Sequence, residues 1–274
     1  MKIHKLDSTN AFVAVDLENA PGRGVIRVAP KILQGGAKDL ARSMTYALAS
    51  LGLKETGVSA GISTTPESKE DAVTAFVNET KSWQTQLSFT AGKGITEEEI
   101  GISKNHQDSE LLAFGAVTAA LAFKPDSLTA VIDDPNLHLK ITELLSLKGI
   151  EVMETDDPMR AEADLLFCGS KVGAIDHEIA DKLSFAVVVP TAPLPITTRA
   201  VASCQRNGIA ALPDFVTTIG SLVKEETKIT KEITSIIAEI SDHQEGPLIG
   251  ACERAELFLA TWQKELPFGR PMAS

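Results

Sequence analysis

Apolar positions along the chain switch between a period of two and a period near 3.6, the signatures of strands and amphipathic helices. Residues 11–16 (AFVAVD) and 24–28 (GVIRV) read as strands, with Pro21, Gly22 and Gly24 predicting the turn between them. Residues 37–51 are apolar at 40, 41, 44, 48 and 51, which predicts a helix ended by Gly52. Val58 to Ile62 reads as a short strand. Thr65-Pro66-Glu67-Ser68 opens a helix to about Trp83, with Ala72, Val73, Phe76 and Val77 on one face. Leu87 to Thr90 is the next strand, and Thr96 caps an acidic first turn, TEEEI.

The polar stretch 101–109 (GISKNHQDS) is the best place for a domain boundary, and residues 110–123 form a helix rich in small residues. The stretch Leu128 to Asp157 then reads strand, turn, helix, strand. Its strand core is 130–132, and its turn is Asp133-Asp134-Pro135-Asn136. Its helix is apolar at 137, 141, 144, 145 and 147; Gly149 stops it before the strand 150–153. Strands at 164–168, 185–189 and 209–212 alternate with helices at 176–182 and 197–207. Two helices, 218–241 and 247–265, close the chain. The isoleucines at 229, 233, 236, 237 and 240 make the first of these amphipathic, for packing on the domain or at an oligomer interface. This alternation predicts parallel sheet covered on both faces. The expected class is α/β in two domains, 1–110 and 111–274, the second Rossmann-like and doubly wound.

A strand–turn–helix–strand unit of this kind is half of a dinucleotide-binding fold. Its first turn should read G-x-G-x-x-G/A, because glycine lets the backbone approach a pyrophosphate. Here Asp133, Pro135 and His138 hold those positions. The two aspartates put negative charge at a helix N-terminus, where a carboxylate can satisfy the amides that a phosphate would otherwise take. The expectation is a self-capped turn that repels a dinucleotide.

Charge narrows the partners. The net charge of −11 argues against nucleic acid and anionic membrane. No apolar run approaches the roughly 18 residues that span a bilayer. The first residues, MKIHKLDSTN, are too polar for a secretory signal, which points to the cytoplasm. Cys168, Cys204 and Cys252 are odd in number and far apart, with neither a disulfide framework nor a metal-ligand spacing, and no metal is expected.

Two stretches carry a family resemblance. Residues 35–62 (GGAKDLARSMTYALASLGLKETGVSAGI) are similar to the pattern GGxR…LARGMTYKxAxAGLPLGGGKxxI. Residues 168–223, with VVVPTAPLPIT and GIAALPDFVTTIGSLV, are similar to IVxGxANxPxT and GIxxxPDFxxNAGGV. The helix segment AFGAVTAAL (113–121) is similar to TAYGVxxxxKAA. All four patterns belong to the glutamate/leucine/phenylalanine/valine (amino-acid) dehydrogenases, and the resemblance spans most of the chain in order. It implies two α/β domains with a cleft for a small-molecule ligand, NAD or NADP as hydride acceptor, oxidative deamination of an amino acid, and a homo-oligomer.

Residue by residue, most of that chemistry does not carry over. The lysine of MTYK, which holds the substrate carboxylate, falls on Ala47, and the catalytic lysine of GGGK falls on Ser59. Alanine cannot donate to a carboxylate, and serine cannot serve as a low-pKa amine. The family's catalytic aspartate falls near Lys93 by a gapped match. The asparagines of NAGG and ANxP fall on Thr218 and near Pro193. On the cofactor side the ribose-binding acid matches Asp156.

Each candidate has a plainer alternative. Lys93 reads as a displaced amine or as a solvated loop residue between glycines, and Ser59 as a nucleophile or as a small lining residue. On the cofactor side, Asp133, Asp156, Cys168 and Thr191 lie at the ligand edge of the expected sheet, and Lys171 beside them is a possible anion contact. Asp156 is otherwise a strand-end or cap residue, Cys168 a buried structural thiol and His138 a helix-surface residue. Three functions follow: a working amino-acid oxidoreductase, a non-catalytic relative that binds a small metabolite or partner, and an enzyme of changed chemistry. The several losses together favour the second.

Overall fold

The computed structural model of the chain describes residues 1–83, 86–102 and 108–273. The chain divides into two compact units, Met1–Asn105 with Glu256–Pro271, and His106–Ala255 with Met272–Ser274.

The first unit contains β1 (Lys2–Lys5), β2 (Ala11–Val15), β3 (Gly22–Ala29), α1 (Gln34–Ser50), β4 (Thr56–Ser63), α2 (Lys69–Thr80) and β5 (Leu87–Ala91). Its sheet order is β1-β2-β4-β3-β5. β3 runs parallel to β4 and β5, but β2 is antiparallel to both β1 and β4. This corrects the expectation of wholly parallel sheet. β1 escaped the sequence reading because KIHK carries one strongly apolar residue. It is an edge strand with lysine at both ends, a common way to blunt an edge. Gly22 and Gly24 lie inside β3 rather than in a turn. A Cβ on Gly24 would fall 1.6 Å from the Val58 carbonyl oxygen, so glycine there reflects a close approach of neighbouring strands.

One face of this sheet packs Val13, Ile26, Val28, Val58, Ala60 and Ile62 against Val73 and Phe76 of α2. The other face takes α1 through small residues, Ala37 and Ala41 meeting Phe12 and Ala14. The helix comes so close that a Cβ on Gly57 would lie 1.9 Å from the Ala41 carbonyl oxygen. Thr45 bridges the contact, its hydroxyl accepting the Gly57 N–H at 2.9 Å and donating to the Ala41 carbonyl at 3.1 Å. Beside it Arg42 clasps the buried Asp16 carboxylate, Nη2 to Oδ1 at 2.7 Å, and donates to the carbonyls of Phe268 and Gly269. The expected helix at 96–100 is a single 3₁₀ turn, Glu98–Ile100, closed by left-handed Gly101. Thr96 and Glu99 form a reciprocal capping box on it. Most of the polar boundary stretch, residues 103–107, lies outside the described residues.

The second unit contains α3 (Asp108–Phe123), β6 (Thr129–Asp133), α4 (His138–Ser146), β7 (Glu151–Val152), β8 (Glu162–Cys168), α5 (His177–Ala180), β9 (Ser184–Pro190), α6 (Thr198–Arg206), β10 (Ala210–Ala211), α7 (Asp214–Thr217), α8 (Gly220–Val223) and α9 (Glu226–Ile240); α10 is Pro247–Ala260. Its five strands are all parallel, in the order β7-β6-β8-β9-β10. Consecutive residues of β8 and β9 are buried (Leu165, Leu166 and Phe167; Val187, Val188 and Val189), so both faces are covered, as the apolar runs predict. The expected helix 218–241 is broken: α8 ends at Lys224, whose φ is 59°, and α9 starts afresh. Likewise the helix expected over 247–265 stops at Ala260. The α9 isoleucines are all buried, and the helix packs on α3 of the same unit, which places that apolar face in the domain core. Among the described residues no helix is long and apolar enough to cross a membrane.

Candidate functional site at the carboxyl end of the second sheet

Strand order β7-β6-β8-β9-β10 places the topological switch between β6 and β8, where doubly wound sheets bind ligands beyond the strand carboxyl ends. Register sets Asp133 of β6 opposite Cys168 of β8, and Cys168 opposite Pro190 of β9. The residues just past these ends, Asp134, Gly169 and Thr191, therefore converge.

Asp134 is buried and fully engaged. Its Oδ1 accepts the N–H groups of Asn136 at 3.0 Å and Leu137 at 3.3 Å, and its Oδ2 accepts the Thr191 hydroxyl at 2.6 Å. Gly169 packs on that bond: a Cβ there would sit 2.1 Å from Thr191 Oγ1 and 2.5 Å from Asp134 Oδ2. Asp133 is partly buried. Its backbone carbonyl accepts the Gly169 and Ser170 N–H groups at 3.0 Å, and its Oδ2 accepts the Ser170 hydroxyl at 2.5 Å. Burial pushes its carboxyl above the ordinary range, with the Asp134 charge adding to that; the Ser170 bond and the Lys171 charge oppose it.

In front of this knot lies a cavity of about 400 Å³, with Asp133, Pro135, His138, Glu154 and Ser170 in its wall. His138 Nε2 is 3.5 Å from Glu154 Oε1. A groove walled by Asp133, Asp134 and Glu154 repels a pyrophosphate, and the amides that would receive one already hold a carboxylate. The residues present therefore do not fit the diphosphate of NAD or NADP in the usual way.

Of the sequence candidates, Asp133, Cys168 and Thr191 come together at this edge. Cys168 has no exposed surface, and burial, reinforced by the Asp133 charge, raises its thiol well above the ordinary value; it stays protonated and is no nucleophile. Asp156 is exposed beyond β7, and the acid past β7 that enters the cavity wall is Glu154. Glu154 lies two residues past the end of β7 and directly follows the strand 150–153 expected from the sequence. The Gly169 and Thr191 packing left no pattern in the sequence, because it joins the ends of three separate strands.

The catalytic candidates Lys93 and Ser59, and Ala47, belong to the first unit. Lys93 is exposed in a turn after β5, and its carbonyl accepts the Val28 N–H at 2.9 Å. Ser59 of β4 is completely buried, and its hydroxyl has no partner among the described residues. Ala47 is buried on α1.

No protein-family model matches the chain, and no curated protein does. Solved structures do. L-tryptophan dehydrogenase from Nostoc punctiforme is similar over 95% of each chain, with 18% identity and a TM-score of 0.72. The hetero-hexameric glutamate dehydrogenase from Thermus thermophilus, in a Leu-bound form, is similar over 93% of this chain and 86% of its own, with 16% identity and a TM-score of 0.74. Glutamate dehydrogenase from Plasmodium falciparum is similar over 93% of this chain and 80% of its own, with 13% identity and a TM-score of 0.72. At these identities it is the fold that is shared: nearly the whole chain has the two-domain α/β fold of the amino-acid dehydrogenases.

Proposed function

We propose that this chain is a divergent relative of the amino-acid dehydrogenases that does not carry out oxidative deamination and instead binds a small metabolite or a partner. The observation that carries this reading is the β6–α4 turn. Asp134 holds the amides where a pyrophosphate would bind, and Thr191 and Gly169 lock it there. Ala47 and Ser59, standing where the resemblance places the two lysines, point the same way. The test is calorimetric titration of the folded protein with NADH and then NADPH. No binding is expected at millimolar cofactor. A micromolar Kd, worth about −8 kcal/mol, would overturn the reading.

A second reading has one observation in its favour: the cavity beside the turn is open, and Glu154 stands where an acid would meet ribose hydroxyls. On it, the chain is an NAD(P)-dependent oxidoreductase that uses other residues and holds its cofactor mainly by the nucleoside. Micromolar binding in the same titration, abolished by Glu154→Ala, would establish it over the first.

A further inference from the structure

Phe268, in the first unit, leaves its ring wholly in solvent at 101% exposure, where large aromatic side chains are usually mostly buried. Its backbone is nonetheless held. The Phe268 and Gly269 carbonyls accept Nη1 of the buried Arg42, whose Nε and Nη2 hold Asp16. One residue on, Arg270 grips Glu256 of α10 at 2.8 and 2.9 Å, and Glu256 also accepts the Tyr46 hydroxyl at 2.9 Å. The Glu256–Arg270 pair thus closes the base of a surface loop, and Arg42 pins its backbone beneath the ring. An aromatic ring on a backbone fixed in this way loses little freedom on docking. Leu266 and Met1, both half-exposed, line the same groove as Phe268, a cavity of about 1050 Å³.

A hole lies beside this knob. A second cavity, of about 590 Å³, is lined by Val15, Pro21, Trp83 and Leu87. Val15 is buried, Trp83 and Leu87 are partly buried, and the His4 ring rests against Trp83 with centroids 5.7 Å apart. The exposed Lys2 and Glu18 add a polar rim. An apolar bottom under a polar rim is the form of a pocket that receives an anchoring side chain. The two cavities border each other, because Glu18 and the left-handed Asn19, in the turn between β2 and β3, line both. Knob and hole therefore share one continuous face, and all of it belongs to the first unit.

We propose that this face is the contact between two copies of the chain, related by a two-fold axis beside Asn19, with Phe268 of each copy seated in the Trp83 cavity of the other. A two-fold contact uses the same patch on both copies, so it needs a knob and its hole side by side with the axis between them. The turn that lines both cavities supplies the place for that axis. Charge agrees with it. The knob side carries Lys264 and Glu265, and the hole side Lys2 and Glu18, one cation and one anion on each. The rotation that seats the ring can pair Lys264 with the other copy's Glu18, and Glu265 with its Lys2. Within one copy Lys2 and Glu18 are 3.8 Å apart and half-exposed, a weak pair that exchanges partners at little cost. The proposal stands apart from the reading of the ligand and does not depend on whether a nucleotide or a metabolite binds.

The test is sedimentation velocity of the full chain over a wide range of concentration. Wild type is expected to form a dimer, or a closed assembly built from it, as concentration rises. Phe268→Ser removes a ring that packs on nothing in the single copy, so its melting should match wild type while its association weakens about tenfold or more. Ala20→Arg, which crowds the hole, should weaken association in the same way. An equal mixture of the two variants is the decisive sample. Phe268→Ser keeps its hole and Ala20→Arg keeps its knob, so a mixed pair retains one intact contact and should associate more tightly than either variant alone. If Ala20→Arg does not fold, tryptophan emission decides, since Trp83 and Trp262 line the two cavities. Wild-type emission should move to the red on dilution, and Phe268→Ser should show the red-shifted emission at every concentration. A wild type that stays monomeric throughout would overturn the second copy as the occupant. Association that Phe268→Ser leaves intact would overturn the proposal too, as would loss in both variants without recovery in the mixture, or emission that dilution leaves unchanged.

Discussion

At the scale of single residues, the chain places charge where the fold must answer for it. Asp16 and Arg42 answer each other within one buried pair, and Asp134 is answered by two amides and a hydroxyl. Asp133 is only partly answered, which is why its carboxyl titrates above the ordinary range. A carboxyl raised in the folded state favours folding at low pH and loses that contribution as pH rises through its folded value. Asp133→Asn, which retains an acceptor for Ser170, should therefore raise the thermal midpoint at pH 7. The gain should shrink as pH falls toward about 4 and vanish below it, where aspartate is protonated folded or unfolded. Thermal melts of both proteins across that range check this, and a gain independent of pH would rule out burial of the charge as its cause.

At the scale of elements, periodicity was a reliable guide wherever one face of a helix or strand was apolar. The helices α1, α2, α4 and α6 and the strands β2 to β6, β8 and β9 all appear near their expected places. It failed at β1, whose polar edge sequence hides its pairing, and at Lys224, where a left-handed residue splits what reads as one long helix. The isoleucine stripe of α9 fits an interface or a core equally well; packing on α3 decides for the core. Gly115 of α3 sets the closeness of that packing, since a Cβ there would lie 3.5 Å from Ile233 Cδ1 and 3.0 Å from the Thr217 carbonyl oxygen. Ile233→Ala should accordingly cost about 2–4 kcal/mol through lost burial and an unfilled cavity. Urea unfolding followed by circular dichroism measures it, and a cost under about 1 kcal/mol would mean the helix relaxes into the gap.

At the scale of the whole molecule, the three thiols report on the integrity of the fold. None is in a disulfide, and all are buried. Burial lifts Cys204 to about 11 and Cys168 well above its usual value, so little thiolate exists at neutral pH. Native protein should therefore show no fast reaction with Ellman's reagent at pH 8, and three thiols should react on unfolding. A thiol that reacts at once in the native state would reveal an opening of the core around it. The likeness to amino-acid dehydrogenases over nearly all of the chain belongs to this scale too. It survives below 20% identity because a fold needs its apolar pattern and turn chemistry, whereas a reaction needs particular side chains.

The sequence by itself determined the α/β class, the strand–helix alternation of the second unit, and the absence of the glycine fingerprint at 133, 135 and 138. Those are local properties, written as periodicity, caps and the residue types a turn requires. Only the tertiary structure decided that Asp134 is held by Thr191 over Gly169, that Glu154 rather than Asp156 lines the cavity, and that Arg27 Nε and Nη2 are buried with no hydrogen-bond partner among the described residues. Each of these depends on groups brought together from separate strands, or on a partner that is missing. Neither a contact across strands nor a vacant hydrogen bond leaves a periodic trace along the chain.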